Sequence, residues 1–391
     1  MLKLSVARRT RGRAAMAVCG AAVLALAACG AGESSSGASG QTSSSDVDAA
    51  RAMVQKYSAA LTSYPEVEPV SGDVASLAGK TVWYVPIGAA TPSLRLFGEG
   101  MANALRNLDV DVHVCDGKFV PTAIAACLEQ AGNSGAEAVV TGYFDYQLVP
   151  AAIDGLVAKG VPVLVAGAAA PEGKTNTPQL AFDDTTEAQN LAQELTADAV
   201  IADSDGKANV LYLGVTDSPA LKGTADHTVD FFAKRCPTCS VTRLDYNTAS
   251  IDKVASQVSA ALIKAPKTDY IVAELDTVTP LAANGAQSAG FADKVKFAAT
   301  GADVTSLQRI AAGDKQFANT GFGGFYGGWR FADGIVRMMT GGVPVSEGAA
   351  VRVFTKDNIG GLDLTPAGFA SNDWFGDNSF ENTFLGAWGV K

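Results

Sequence analysis

From Thr81 onward, short apolar runs alternate with stretches whose apolar positions recur at helical spacing, a pattern that predicts parallel sheets covered by helices. "TVWYVPI" at Thr81 to Ile87 reads as a buried strand and is followed by an amphipathic helix over Leu94 to Leu108. The second unit is "VDVHV" at Val110 to Val114, then a helix whose Ile124, Cys127, Leu128 and Ala131 fall at i, i+3, i+4 and i+7. The third pairs "EAVVTG" at Glu137 to Gly142 with a helix from about Leu148 to Lys159, and a glycine turn leads into "VPVLVAG". The rhythm then restarts: a helix around Glu187 to Ile201, a strand at Asn209 to Gly214, a helix near Leu221 to Lys234, and the strand "SVTRLDY". A helix carrying Val254, Val258 and Leu262 precedes the strand "DYIVAEL", and Pro280, with Thr279 as N-cap, starts the next helix. "VKFAATG" and "FANTGF" are further strands before the helix that holds Trp329, Phe331 and Val336. Two successive α/β halves result.

The amino-terminal end follows a different pattern. Lys3, Arg8, Arg9, Arg11 and Arg13 form a basic head, and Ala14 to Ala28 an apolar middle of 15 residues. At about 1.5 Å per residue that helix would span only about 22 Å of an apolar layer about 30 Å thick, so it reads as an export signal. Leu26-Ala27-Ala28-Cys29 resembles the lipobox of bacterial lipoproteins, in which the cysteine thiol is acylated and becomes the mature N-terminus. The expectation is a signal over 1–28 and a lipid on Cys29. Gly30 to Ser45 is too polar and too rich in Gly and Ser to bury a core, so 29–79 is expected to be anchor and tether.

About 310 residues remain from Lys80, more than one hydrophobic core usually holds, so two lobes are expected. The formal charge of −10 falls to −15 once the signal's five basic residues are gone, and so acidic a body repels phosphate backbones, which excludes nucleic acid as a partner. Discounting Cys19 and Cys29 leaves Cys115, Cys127, Cys236 and Cys239, an even number that in an exported chain predicts disulfides. Three pairings are possible. The strand ending at Cys115 and the helix carrying Cys127 should be neighbours, which favours the two local bridges, Cys115–Cys127 and Cys236–Cys239. "CPTC" matches a redox C-x-x-C spacing, but it sits where a helix ends and a strand begins, opposite to the helix start that activates such thiols, so it is expected as a structural staple. His113 and His227 have no partner at metal-ligand spacing, and no phosphate-binding loop or nucleophile elbow is present; no metal or cofactor is expected. "GFGGFYGG" at Gly321 to Gly328 lacks the lysine of a nucleotide loop and reads as close backbone approach beside aromatics.

Taken together, these segments resemble the type I periplasmic binding proteins, in particular the sugar-binding members that feed ATP-driven importers. The likeness spans Lys80 to about Thr340 and lies in the order of elements. "TPSLRLFGEGMANAL" looks like that family's proline turn and first helix, and "EAVVTGYFDYQLVPAAIDGLVAKGVPVLVAG" like its third unit. "FDDTTEAQNLAQEL" looks like the entry to its second lobe, and "TGADVTSLQRIAAG" like the segment whose aspartate reaches the ligand. The resemblance implies two Rossmann-like lobes joined by a three-crossover hinge, with a solute held in the cleft between them. The expected lobes are 80–181 plus about 324–352, and 182–323 plus about 353–391. It further implies a monomer outside the cytoplasm, held to the bacterial membrane by its lipid alone, whose partners are a small-molecule solute and permease subunits of an ABC transporter. A signalling receptor is the alternative role. A cleft enzyme has only Glu274 and Asp276 as candidate paired carboxylates, and a repressor of the same body fold would need a helix-turn-helix where this chain has an export signal.

Open parallel sheets point strand carboxyl ends and helix N-termini at one crevice, so candidate ligand residues follow the strands. In the first lobe these are Thr91, Ser93 and Leu94, then Tyr143, Phe144 and Asp145; in the second, Asp217 and Ser218, Glu274, Asp276 and Asp303; on the hinge side, Phe325 and Tyr326. Asp303 is the residue the resemblance carries over most directly. The bland alternatives are that Tyr143 and Phe144 are core aromatics, that Asp145 and Asp217 cap helices, and that Glu274 is solvated. The chain departs from the family where Gly167 and Ala168 stand in place of an Asp-Arg pair, where Glu274 stands for an asparagine, and where an arginine near Leu221 to His227 is missing. A sugar is the family expectation, and these changes point toward a less hydroxylated, partly apolar or cationic solute. Trp374, Phe375 and Trp388 in the tail predict packing back onto a lobe.

Overall fold

Strands that are apolar on both faces need cover on both sides, and alternation of strand and helix supplies it. The computed structural model describes residues 42–390; the expected signal and Cys29 lie outside the described residues. The chain enters through α1 (Ser44–Ser58), started by a capping box between Ser43 and Asp46. The first lobe follows: β1 (Thr81–Pro86), α2 (Pro92–Arg106), β2 (Asp111–Val114), α3 (Pro121–Asn133), β3 (Ala138–Gly142), α4 (Pro150–Ala158), β4 (Val163–Ala166) and β5 (Leu180–Asp183). The second runs through α5 (Thr186–Asp203), β6 (Asn209–Val215), α6 (Pro219–Arg235), β7 (Ser240–Tyr246), α7 (Val254–Lys264), β8 (Tyr270–Ala273), α8 (Thr279–Ser288), β9 (Lys296–Gly301), α9 (Val304–Ala312) and β10 (Gln316–Phe322). Then come α10 (Gly324–Met339), β11 (Val351–Thr355), α11 (Pro366–Ala370) and α12 (Ser379–Ala387).

Five parallel strands form the first sheet in the order β2-β1-β3-β4-β5. The second repeats that order as β7-β6-β8-β9-β10, with β11 added antiparallel at the edge. Side chains from alternate positions of each sheet enter two separate apolar layers, as Tyr84 and Val85 do on opposite faces of β1. The chain crosses between the lobes from β5 to α5, from β10 to α10, and from α10 to β11, which are the three expected crossovers.

Tertiary packing corrects the ends of the expected scheme. Residues 44–79 are not tether: Val47 and Ala50 of α1 are buried against α5 and the second sheet, and Leu61 bridges to Gly376. The tail is divided between lobes, since β11 completes the second sheet whereas α12 lies on α10 in the first. There Trp388 stacks on Trp329 with ring centroids 5.7 Å apart, and Phe380 and Phe384 fill the same layer. Two further passages of chain, 59–80 and 356–378, therefore join the lobes behind the three crossovers. They are tied to each other, as Leu61 N–H donates to Phe375 O at 2.7 Å and Asn372 Nδ2 donates to Tyr64 Oη at 2.6 Å. Residue Thr279 opens α8 from inside and does not cap it; the cap position is Val278.

Both local disulfides are present, Cys115–Cys127 and Cys236–Cys239. Thr42, at the start of the described chain, is held on the second one, accepting from Thr238 N–H at 3.1 Å. The glycine-rich run is the contact surface between α2 and α10. A Cβ on Gly328 would stand 2.3 Å from the Phe97 carbonyl oxygen and 2.5 Å from the Met101 nitrogen. Backbone cannot swing aside, so Gly328→Ala should destabilise by about 1–3 kcal/mol, although Gly to Ala inside a helix ordinarily stabilises by about 1 kcal/mol; urea midpoints at unchanged m-value check the sign. Replacing Cys115 and Cys127 by serine opens a loop of sequence separation 12 and should cost about 3 kcal/mol in the same assay.

Candidate functional site

The carboxyl ends of both sheets give rise to the loops that hold the expected site residues. Backbone strain marks the same edges: Tyr143 directly after β3 and Ala302 directly after β9 both lie in the left-handed region, at φ 61° and 56°. Such conformations persist only where their surroundings hold them, and they concentrate at functional sites.

On the second lobe the strand ends form one buried polar cluster. Asp303 caps α9, its Oδ1 accepting from Ser306 N–H at 2.7 Å. Its own N–H donates to Asp276 Oδ2 at 2.7 Å. Asn319 in β10 is fully buried; its Oδ1 accepts from Ala302 N–H at 2.8 Å and its Nδ2 donates to Asp276 Oδ2 at 3.4 Å. Burial and the nearby Asp303 carboxylate both raise the Asp276 pKa. Glu274 is 1% exposed, not solvated. Its Oε2 accepts from Val215 N–H at 2.7 Å, while Oε1 is buried without a partner. Desolvation pushes it up to about 8. Glu274 and Asp276 thus have different partners, Val215 for the first and Asp303 with Asn319 for the second. Asp217 accepts from Thr248 N–H at 3.0 Å and its hydroxyl at 2.6 Å, tying the loop after β6 to that after β7, and the cap of α6 is Ser218.

On the first lobe the candidates divide. Thr91 and Ser93 are half-buried in the loop and first turn after β1, and their hydroxyls bond to no described residue. Leu94 is buried instead, its carbonyl accepting from Tyr84 Oη at 2.9 Å. Phe144 turns into the layer under α3 and α4, as the bland reading had it. Asp145 precedes a short 3-10 turn without capping it, and its Oδ2 is buried and unpartnered.

At the hinge, Tyr143, Thr185, Gln189, Phe322, Tyr326 and Arg330 line a cavity of about 20 Å³, room for a single water. Tyr326 is buried, donating from Oη to Glu347 O at 3.3 Å, whereas Phe325 is half-buried and packs edge-on to Phe380. Beneath the cavity runs a line of buried charge that the sequence reading missed. Arg330 donates to Asp183 Oδ1 at 2.9 Å and lies 3.5 Å from Glu347 Oε2. Asp333 accepts from Arg337 Nε at 2.5 Å and from Trp388 Nε1 at 2.8 Å. Burial, with Asp333 beside it, raises the Glu347 pKa. The available signal was the run Arg330, Asp333, Arg337 at i, i+3 and i+7 in an otherwise apolar helix. Asn319, a polar side chain inside a buried strand, was the other. A larger groove of about 350 Å³ between α3 and α4 is walled by Ala125, Leu128, Ala152 and Leu156 among others, and no strand end reaches it. Among the described residues no cluster could hold a metal ion and no helix is long and apolar enough to cross a membrane.

No family model and no curated protein sequence matches the chain. Solved structures do. A 5-methylthioribose transporter solute binding protein from Thermotoga lettingae, in complex with 5-methylthioribose, matches at TM-score 0.64 and 14% identity over 83% of this chain and 99% of its own. A glucose-galactose binding protein from Geobacillus stearothermophilus matches at TM-score 0.63 and 16% identity over 72% and 99%. An ABC transporter solute binding protein from Agrobacterium vitis with bound allitol gives 0.60 and 15% over 72% and 97%. The likeness is one of fold: two α/β lobes of the kind found in these binding proteins.

The buried Glu274 has a thermodynamic consequence. Its ordinary pKa is 4.5 and its folded value about 8, so between those values the folded state binds more protons than the unfolded one. Its contribution to stability is complete below about pH 4.5 and is lost as pH rises to about 8. Glu274→Gln keeps an acceptor for Val215 N–H and removes the titration; the fall in stability between pH 5 and 8 should flatten by up to about 1.4 kcal/mol per pH unit, read from denaturation at each pH.

Proposed function

We propose that the protein is the solute-binding component of an ABC transporter, taking up a small polyhydroxylated molecule between its lobes and delivering it to a permease. The observation that carries this reading is the fold match, nearly the whole length of binding proteins crystallised with 5-methylthioribose and allitol, joined to strand ends that supply carboxylate and hydroxyl groups to the same seam. Carboxylates accept from sugar hydroxyls, and a few such groups suffice to orient a small ligand. With a floor cavity of only about 20 Å³, a solute enters by opening of the lobes, and binding favours closure only as far as the solute prefers the closed state.

The same reading puts the protein outside the cytoplasm as a monomer, anchored by a lipid on Cys29. Thr42 rests on the Cys236–Cys239 turn, before the amino end of β7, at the edge opposite the strand carboxyl ends. Turnover of the bound solute is not expected, the structural neighbours being solute-binding proteins.

Thermal unfolding with 5-methylthioribose, allitol, myo-inositol and α-D-tagatopyranose, each solute named from a structural neighbour, tests the reading. A solute at 100 times its Kd should stabilise by about 2.7 kcal/mol, a rise of several degrees; no rise with any of them would overturn it. Asp303→Asn retains a good N-cap and removes the charged acceptor, so Kd should weaken by about 10- to 100-fold with the unfolding temperature of the free protein nearly unchanged.

A further inference from the structure

Phe119 is the only Phe, Tyr or Trp classed as exposed among the described residues, at 41%. Its position is built with some effort. It follows β2 on the carboxyl edge of the first sheet, and both Lys118 and Phe119 are held in the left-handed region, at φ 53° and 58°. Neither is a residue type that settles there freely. The backbone is laced to the loop after β1: Gly117 N–H donates to Pro86 O at 3.1 Å and Phe119 N–H to Ile87 O at 2.7 Å. Asp116 Oδ1 accepts from Ala89 N–H at 2.8 Å and from Lys118 N–H at 2.9 Å. The Cys115–Cys127 bridge closes the segment from both sides. The ring lies on Gly88, where a Cβ would stand 2.2 Å from Phe119 Cε2.

A loop held this firmly presents one face of an aromatic ring to solvent, on the same loop pair as the unpartnered hydroxyls of Thr91 and Ser93. Of the aromatics expected at the strand ends, Phe144 and Tyr326 are spent in the core, Tyr143 packs on Phe97 at 5.1 Å, and Phe325 is half-buried against Phe380. We propose that Phe119 is the aromatic wall of the binding cleft, the residue that selects solutes carrying an apolar ring face, with the disulfide loop as its mount. The inference rests on the solute-binding reading above. Stacking removes an apolar ring face from water while leaving the hydroxyls at its rim free for Thr91, Ser93 and the second lobe's carboxylates.

The test uses the full chain and the four solutes named above. For a solute that raises the unfolding temperature of the native protein, Phe119→Ala should raise Kd by roughly tenfold by calorimetry, and Phe119→Trp should retain binding and shift its emission on addition of that solute. Because the ring is exposed, free-protein unfolding of both variants should stay near native. A Kd within twofold of native in Phe119→Ala, together with unmoved emission in Phe119→Trp while the solute still stabilises, overturns the wall and leaves the transport reading standing. Absence of stabilisation by any of the four in the native protein overturns the transport reading, and the wall with it.

Discussion

A buried charge must be paired, and the line from Asp183 through Arg330 and Glu347 to Asp333 and Arg337 is where the fold meets that requirement. Asp183 ends the last strand of the first sheet; Arg330, Asp333 and Arg337 lie on α10; Glu347 belongs to the crossover that leads into β11. Trp388 of α12 donates into the same line, and Arg337 also donates to the Glu68 carbonyl of the amino-terminal passage. Satisfying five ionisable groups therefore brings together every segment that passes between the lobes on that side. With more acids than bases in the line, the raised Glu347 pKa follows from both burial and the neighbouring Asp333.

That constraint shapes the seam above it. Arg330 of that line borders the hinge cavity, where its hydrogen bond is committed to Asp183 and the space is the size of a water. The other polar groups of the seam lie on the rims where strands end. On the second lobe the rim is carboxylate and amide, with Asp303, Asp276 and Asn319 sharing one another's hydrogen bonds. On the first it is hydroxyl, with Thr91 and Ser93 beside the ring of Phe119. After β4, Gly167 is at φ 81° and a Cβ there would meet the Tyr143 ring at 2.7 Å.

The two additional passages alter how the lobes can move. A hinge of three short crossovers bends at a few residues; here segments 59–80 and 356–378 run behind it and bond to each other through Leu61, Phe375, Tyr64 and Asn372. Opening must carry those contacts with it or break them. Their aromatic packing, Tyr64 on Tyr326 and Phe380 at 4.9 Å each, ties the hinge helix to both chain ends.

Local pattern alone determined the alternation of strand and helix, the two-lobed division and both disulfides, because period, turn residues and cysteine spacing act over a few residues. The helix caps were not legible: Thr279, Asp145 and Asp217 are the caps the sequence suggests, whereas Ser218 caps α6, Asp303 caps α9 and Val278 precedes α8. Tertiary structure alone decided which face each side chain took. Phe144 and Phe119 look equally available in the sequence, yet one fills a core and the other stands in water, since that depends on residues brought from other strands. Glu274 reads as a cleft acceptor or a solvated acid until Val215 N–H, 59 residues away, is seen to donate to it. The placement of α1 and α12 was likewise beyond local pattern, for both are held by surfaces that exist only once the two sheets have formed.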